Sequence, residues 1–357
     1  MDRDGFESMK AEYKRHAARK ALFILACVLF MAVAMAVSVT IGGFDISFTE
    51  VYETIYNHIM GHVPEQYSPE WYADRIVWDV RLPRVLFAIV AGTGLAVAGV
   101  AMQSLMKNPL AEPYTTGVSS GAYLGIAVAM SLGLTLASGS FALSANAFLF
   151  AMVPVILMIL FSSRLGDSVA TIILIGTALT YMFNALSMLI LVSSDAETLA
   201  NVYKWQVGTI VSLGWNELLT VAGITAACSF VIGALSKKLN IMAMGENNAK
   251  SLGLNVRRLR IVCLTVMALM VAFIISYSGI IGFVGLICPH MIRLVIGSDN
   301  RFVIPAAAAF GSAFLLFADT VAKYLSSLDT IPVGVVCSFI GAPLFLIILI
   351  HNKRGIW

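Results

Sequence analysis

The sequence predicts an all-α polytopic membrane protein, and three observations carry that prediction. Of the 357 residues, 59% are hydrophobic and only 12% charged, whereas a soluble domain carries roughly 45–50% apolar and about 25% charged residues. Mean hydropathy is +0.88. Uncharged runs long enough to cross a bilayer, which takes about 20 mostly apolar residues, recur along most of the chain. This composition excludes an ordinary cytosolic enzyme and a disordered chain. A net charge of +3 is too small to call for a nucleic acid or another polyanion.

The uncharged runs cover 21–44, 85–106, 113–163, 168–194, 218–236, 261–292, 302–318 and 330–352. Two exceed a single crossing. The run 113–163 breaks at the small, polar stretch Ser138–Asn146, and 261–292 breaks near Ser276–Gly279. Ten transmembrane helices result, near 21–43, 84–106, 114–135, 145–163, 168–193, 216–236, 259–277, 280–296, 302–325 and 332–350. The chain then divides into a basic tail (1–20), one membrane domain (21–350) with an outer loop at 45–80 and an inner loop at 237–258, and a short end (351–357). The first apolar run is long and has no clear small-residue cleavage site, so it reads as a retained helix rather than a signal peptide.

Lysine and arginine set the orientation. With the tail inside, 18 of the 23 basic residues fall on the inner side and 5 outside. Both termini are therefore expected in the cytoplasm and the protein in the cell membrane.

Between the spans, Ser47–Met60 has apolar residues at helical spacing and a capping-box start, Ser47 with Glu50. It predicts an outer helix lying on the bundle. Glu65–Asp79 reads as a polar outer loop, and Ala196–Val207 as a short amphipathic outer segment. The inner loop holds Gly245 and Gly253, with about two helical turns between them over Glu246–Leu252 and Gly253 as the stop. It is either an ordinary basic loop or a short helix on which another protein can push. Gly245–Ser251 superficially resembles a phosphate loop, but it is one residue short, has Ala249 in place of the second glycine, and follows no strand. No other segment offers a nucleotide site.

Polar residues inside the membrane are few, and no carboxylate or histidine series suits a proton relay. Asp319 and Lys323 have the spacing of an i,i+4 pair. His290 follows Pro289, which suggests a kink with a locally bonded histidine rather than a metal ligand. The five cysteines have no metal-ligand spacing and read as small core residues. Gly92, Gly94 and Gly99 place the second span at a close helix–helix seam. It ends in Asn108-Pro-Leu-Ala-Glu-Pro113, a rigid non-helical turn. At its outer end, Arg81-Leu-Pro-Arg84 is a compact basic pair on an acidic face. The pair either snorkels to the interface or receives an acidic partner.

Several stretches together resemble the FecCD-type permeases of type II ABC importers, which carry iron-siderophores, haem, cobalamin and some oxyanions. They are Arg81–Arg84 with the helix to Gln103, Asn108–Pro113 with Gly117 and Gly121, and Gly245-Glu246…Ala249…Leu252-Gly253. Gly282–Leu286 with Pro289, His290 and Arg293, then Asp299-Asn-Arg301 with Pro305, Ala318-Asp319, and Ile331–Gly334 with Gly341–Phe345 complete the set. The resemblance implies the type II permease fold working as a homodimer in the lipid bilayer, with two cytoplasmic ATPase subunits and an extracytoplasmic substrate-binding protein. It implies that Arg81, Arg84 and Lys323 dock the binding protein. Gly245, Glu246, Ala249, Leu252 and Gly253 would couple to the ATPase, and Asn108, Pro109 and Leu110 would gate the pathway. Lysine at 323 keeps the charge of the family's arginine but loses its bidentate geometry. Asn300 stands where the family has histidine, with little consequence expected. The chain itself would bind no cofactor or metal and catalyse nothing, since ATP and Mg belong to the partner ATPase. Cargo, foremost an iron-siderophore and otherwise cobalamin or haem, would pass through a nearly uncharged channel. An ion-coupled secondary transporter is the competing class.

Overall fold

The structure is a computed structural model, and it describes residues 3–166, 168–210, 213–325 and 331–351. The described secondary structure is helical throughout. Seven helices are long and apolar enough to cross a membrane: α1 (Arg3–Thr40, apolar from Lys14), α4 (Leu82–Met106), α6 (Ala142–Leu165), α7 (Val169–Leu191), α9 (Trp215–Ala234), α12 (Val256–Ser278) and α14 (Asn300–Leu325). Three further apolar helices, α5 (Val118–Leu132), α13 (Val284–Ile296) and α15 (Val333–His351), are shorter. All ten lie where the apolar runs place them. The tail is not separate from the first of them, because α1 runs unbroken from Arg3.

The non-spanning elements follow local chemistry. α2 (Phe48–Ile59) starts at the anticipated capping box, with Ser47 and Glu50 each closing the other's backbone amide. The segment expected as a polar outer loop is instead mostly helical. Ser68 caps α3 (Pro69–Asp74), and a π-helix (Arg75–Arg81) then runs directly into α4. Pro83, early in α4, supplies no N–H to the turn before it, and Trp215 Nε1 donates instead to the nearby Trp78 carbonyl at 3.0 Å. Asp195 caps α8 (Ala196–Gln206), the predicted amphipathic segment. The inner loop folds as α10 (Ser236–Ala243) and α11 (Glu246–Ser251), of which only the second was anticipated.

α4 is the axis of the bundle and packs on α14, α13, α9 and α12. Its small residues explain this. A Cβ at Gly99 would collide with the Gly285 backbone, and one at Gly92 with the Gly311 backbone. These crossings leave no side chain that could move aside. The chain between α4 and α5 folds back into the bundle: the Cβ position of Gly285 lies 3.0 Å from Leu95 O and 3.4 Å from Pro113 Cδ. At 1.5 Å per residue, the Leu95–Gly99 level is about 10–16 Å above the end of α4. Residues 113–117 therefore sit well inside the bundle.

Candidate functional sites at the two faces and the seam between them

At the N-terminal end of α4, Arg84, Asp319 and Lys323 form one cluster. Arg84 donates from Nη2 and Nε to Asp319 Oδ1 at 2.8 and 3.0 Å. Lys323 Nζ lies 3.5 Å from Asp319 Oδ2 and donates to the carbonyl and hydroxyl of Ser38, each at 2.8 Å. Asp319 is wholly buried between two basic side chains, Arg84 from α4 and Lys323 from its own helix. The i,i+4 pair read from the sequence is thus present, but the arginine makes the tighter contact. Arg81 is only 5% exposed. Its guanidinium donates to the carbonyls of Phe44 (2.6 Å), Thr40 (3.0 Å) and Val39 (3.4 Å). The three cations do converge on one pocket of about 340 Å³, walled by Gly42, Phe44, Ile76 and Val80. What the structure does not hold is a free arginine pair: Arg81 is buried and clamps the α1–α2 connection, and Arg84 is bound to Asp319.

On the opposite face, Gly245 takes φ +110°, where a side chain would be strained, and opens α11. Ala249 is buried beneath the helix, while Leu252 and, just before Gly245, Met244 are exposed. Glu246 accepts from Lys250 at 2.8 Å and from Arg260 of α12 at 3.1 Å. The Lys250 hydrogen bond, followed by that from Arg260, holds the Glu246 carboxyl below its ordinary value despite partial burial. α11 is thereby fixed to a membrane span. Gly253, at φ +78°, ends the turn as the sequence implies.

The turn after α4 lies against this loop. Lys107 caps α4 in the left-handed conformation, and its Nζ is 3.4 Å from the Cβ position of Gly245. Asn108 Oδ1 then accepts the Leu110 N–H at 2.9 Å, giving the non-helical turn, with Leu110 exposed at 48%. Further in, the Glu112 carboxylate accepts the Phe283 backbone N–H, and Tyr114 Oη donates to Ile281 O at 2.9 Å. The turn is therefore tied to the α12–α13 connection through Glu112 and Tyr114, while the Lys107 side chain reaches toward Gly245. The sequence reading missed this tie. A carboxyl between two prolines was its only signal.

A buried polar hub holds the inner ends of α4, α13 and α14. Arg293 Nη2 donates to Ser104 Oγ (2.8 Å), Asn300 Oδ1 (3.0 Å) and Val100 O (3.2 Å). Asn240 of α10 donates to Asp299 Oδ1 at 2.7 Å and accepts the Asn300 N–H at 2.8 Å. Burial raises the Asp299 carboxyl, but hydrogen bonds from Arg301 and Asn240 outweigh it and bring it down to about 2. Asn300 thus connects α10, α4 and α13. His290, expected to be bonded locally, has neither ring nitrogen paired and packs edge-on to Phe345. Among the described residues no group of histidine, cysteine or carboxylate side chains has metal-binding geometry, and all five cysteines are buried and free.

Comparison with known proteins gives this arrangement its context. Residues 29–351 match the FecCD transport family. The chain is 32% identical to the molybdate import system permease protein MolB of Haemophilus influenzae over 338 residues, covering 94% of this chain and 97% of that protein. It is 34% identical to the hemin transport system permease protein HmuU of Yersinia pestis over 338 residues, covering 93% and 96%. The solved structure of a metal-chelate type ABC transporter in an inward-facing conformation superposes with a TM-score of 0.80 at 32% identity, covering 92% of this chain and 98% of that one. The chain belongs to the FecCD transport family and is a permease subunit of an ABC importer whose ATPase is a separate chain.

Proposed function

We propose that the chain is one half of a homodimeric, ten-span permease that imports a metal chelate, foremost an iron-siderophore, with haem or cobalamin as the alternative cargo. The observation that carries the mechanism is the approach of the Lys107 side chain to Gly245, beside the Glu246–Arg260 ion pair. It joins the segment we assign to ATPase docking to the turn we assign to the inner gate. A push on α11 reaches α12 through Glu246–Arg260 and the turn through Lys107. Exposed Met244 and Leu252 flank α11 as apolar contacts for the ATPase. Exposed apolar side chains on α7 and α15, among them Tyr181, Leu189 and Phe339, suit a second copy or lipid. Both termini are placed in the cytoplasm by the basic-residue asymmetry.

On the outer face, the pocket above Arg84 and Lys323 would receive a glutamate of the binding protein, which would compete with Asp319 for the two cations. Arg81 serves this docking indirectly, by holding the rim at Phe44. Since molybdate and hemin relatives share this fold, selection of cargo is assigned mainly to the binding protein.

The test is uptake of a ferric-siderophore into proteoliposomes holding the permease, its ATPase and its binding protein. ATP-dependent uptake abolished by Leu252→Asp with retained folding is expected. Uptake driven by an ion gradient without the ATPase would establish a secondary transporter instead. A cysteine introduced at Leu110 should crosslink to its copy and block flux if the turn gates at a two-fold axis.

A further inference from the structure

A groove of about 410 Å³ opens between the end of α9 and the start of α12, on the face that carries α10 and α11. It is lined by the polar Lys238, Asn255 and Arg258 and by the apolar Leu235, Leu254, Leu259 and Val262. Val262 and its neighbour Ile261 are each 36% exposed at the first turns of a membrane span. Polar and apolar walls therefore meet at the level where headgroups give way to acyl chains.

The charge here is unbalanced. Elsewhere on this face the carboxylates are already engaged, Glu246 by Lys250 and Arg260, Asp299 by Arg301 and Asn240. Among the described residues neither Lys238 nor Arg258 has an ion-pair partner. The groove lies at the N-terminal end of α12, whose positive dipole end adds to the field. Two cations on the polar rim of an apolar groove match a phosphodiester with acyl chains attached. A free phosphate would leave the apolar wall unused, and a protein carboxylate would leave it bare to lipid.

We propose that this groove binds one anionic phospholipid, its phosphodiester between Lys238 and Arg258 and an acyl chain along Leu235, Leu259 and Val262. The proposal rests on the bilayer reading of the chain but not on its cargo or coupling, so lipid retention and uptake can fail separately. The lipid would anchor the base of α12, the span that carries Arg260 and so holds α11.

The experiment is native mass spectrometry of the full chain in detergent, titrated with dioleoylphosphatidylglycerol or dioleoylphosphatidylcholine. Saturable retention of one phosphatidylglycerol per chain is expected, with phosphatidylcholine retained weakly. Lys238→Gln with Arg258→Gln should weaken retention on the order of 20- to 30-fold, as two interfacial cations would. Val262→Trp fills the apolar wall with both charges intact and should also weaken retention, which guards against a misfolded double variant. Equal retention by native chain and both variants would overturn the proposal. So would displacement of the lipid by glycerol phosphate at equal concentration, which would mark a free-phosphate site. If the double variant loses ATPase binding while retaining lipid as the native chain does, the two cations belong to the ATPase interface and the lipid site is refuted.

Discussion

At the N-terminal end of α4, Arg84 and Lys323 converge on a carboxylate with no exposed surface, while at the opposite end of the bundle Glu246 is shared by Lys250 and Arg260 with a quarter of its side chain in view of solvent. Each site is one acid between two cations. They differ in what surrounds them. Asp319 lies among buried helices and draws its partners from α4 and from its own helix, so the cluster locks spans together in a medium of low dielectric. Glu246 lies on a two-turn helix at the surface, where water screens part of each interaction. The comparison teaches that equal counts of charges perform different tasks. The buried set closes the outer end of the bundle, and the exposed set ties a movable surface element to one span.

The largest expected effect tests the buried side. Asp319→Asn leaves Arg84 and Lys323 without their counter-ion, and removing one partner of a buried ion pair costs about 3–5 kcal/mol. Thermal unfolding in detergent should register this as a marked fall in Tm. A loss below about 1 kcal/mol, the range of exposed pairs, would erase the distinction between the two faces. The second test addresses the exposed side. Glu246→Gln should cost only about 1 kcal/mol, since Lys250 is exposed and the carboxylate is partly screened. It should nevertheless raise the ATP hydrolysed per cargo imported, because α11 loses its tie to α12. Unchanged stoichiometry would restrict Glu246 to a structural role.

The smallest effect is a pH dependence. The Asp299 carboxyl is brought down to about 2, below its ordinary value near 4. The folded state therefore binds fewer protons than the unfolded one. Its contribution is complete above the unfolded value and is lost as pH falls from about 4 through about 2. Glu246, also lowered, acts in the same direction. Asp299→Asn should flatten the acid limb of a Tm-against-pH curve in that window and leave the neutral region little changed in slope. An identical acid limb in native and variant chains would show that the Asn240–Asp299–Arg301 contacts carry no pH-dependent stability.

Much of the architecture was legible in the chain because it is locally encoded. Long apolar runs must satisfy their backbone internally in a bilayer and so become helices. Ser47 and Glu50 announced α2, and Gly245 and Gly253 bracketed α11. The short helix α11 was legible for the same reason, since both bracketing glycines and Glu246 lie within nine residues. The outer site was not. The basic residues could be seen, but their availability could not, because Arg81 is hydrogen-bonded by carbonyls about forty positions away and Arg84 is paired with an aspartate 235 positions away. Glu65–Asp79 was misread as a loop because its polar residues hid a capped start at Ser68 and a π-helical continuation into α4.

By itself, then, the sequence determined the number and place of the apolar helices, the basic asymmetry between faces and the membership suggested by its motifs. Each depends on composition or spacing within a few turns of chain. The tertiary structure alone decided which charges are free. It buried Arg81, set Asp319 between two cations, stapled Glu112 and Tyr114 to the residues before α13, and brought Lys107 against Gly245. The reason is physical: the energy of a charge depends on the dielectric and partners that distant segments supply, and no local pattern specifies those.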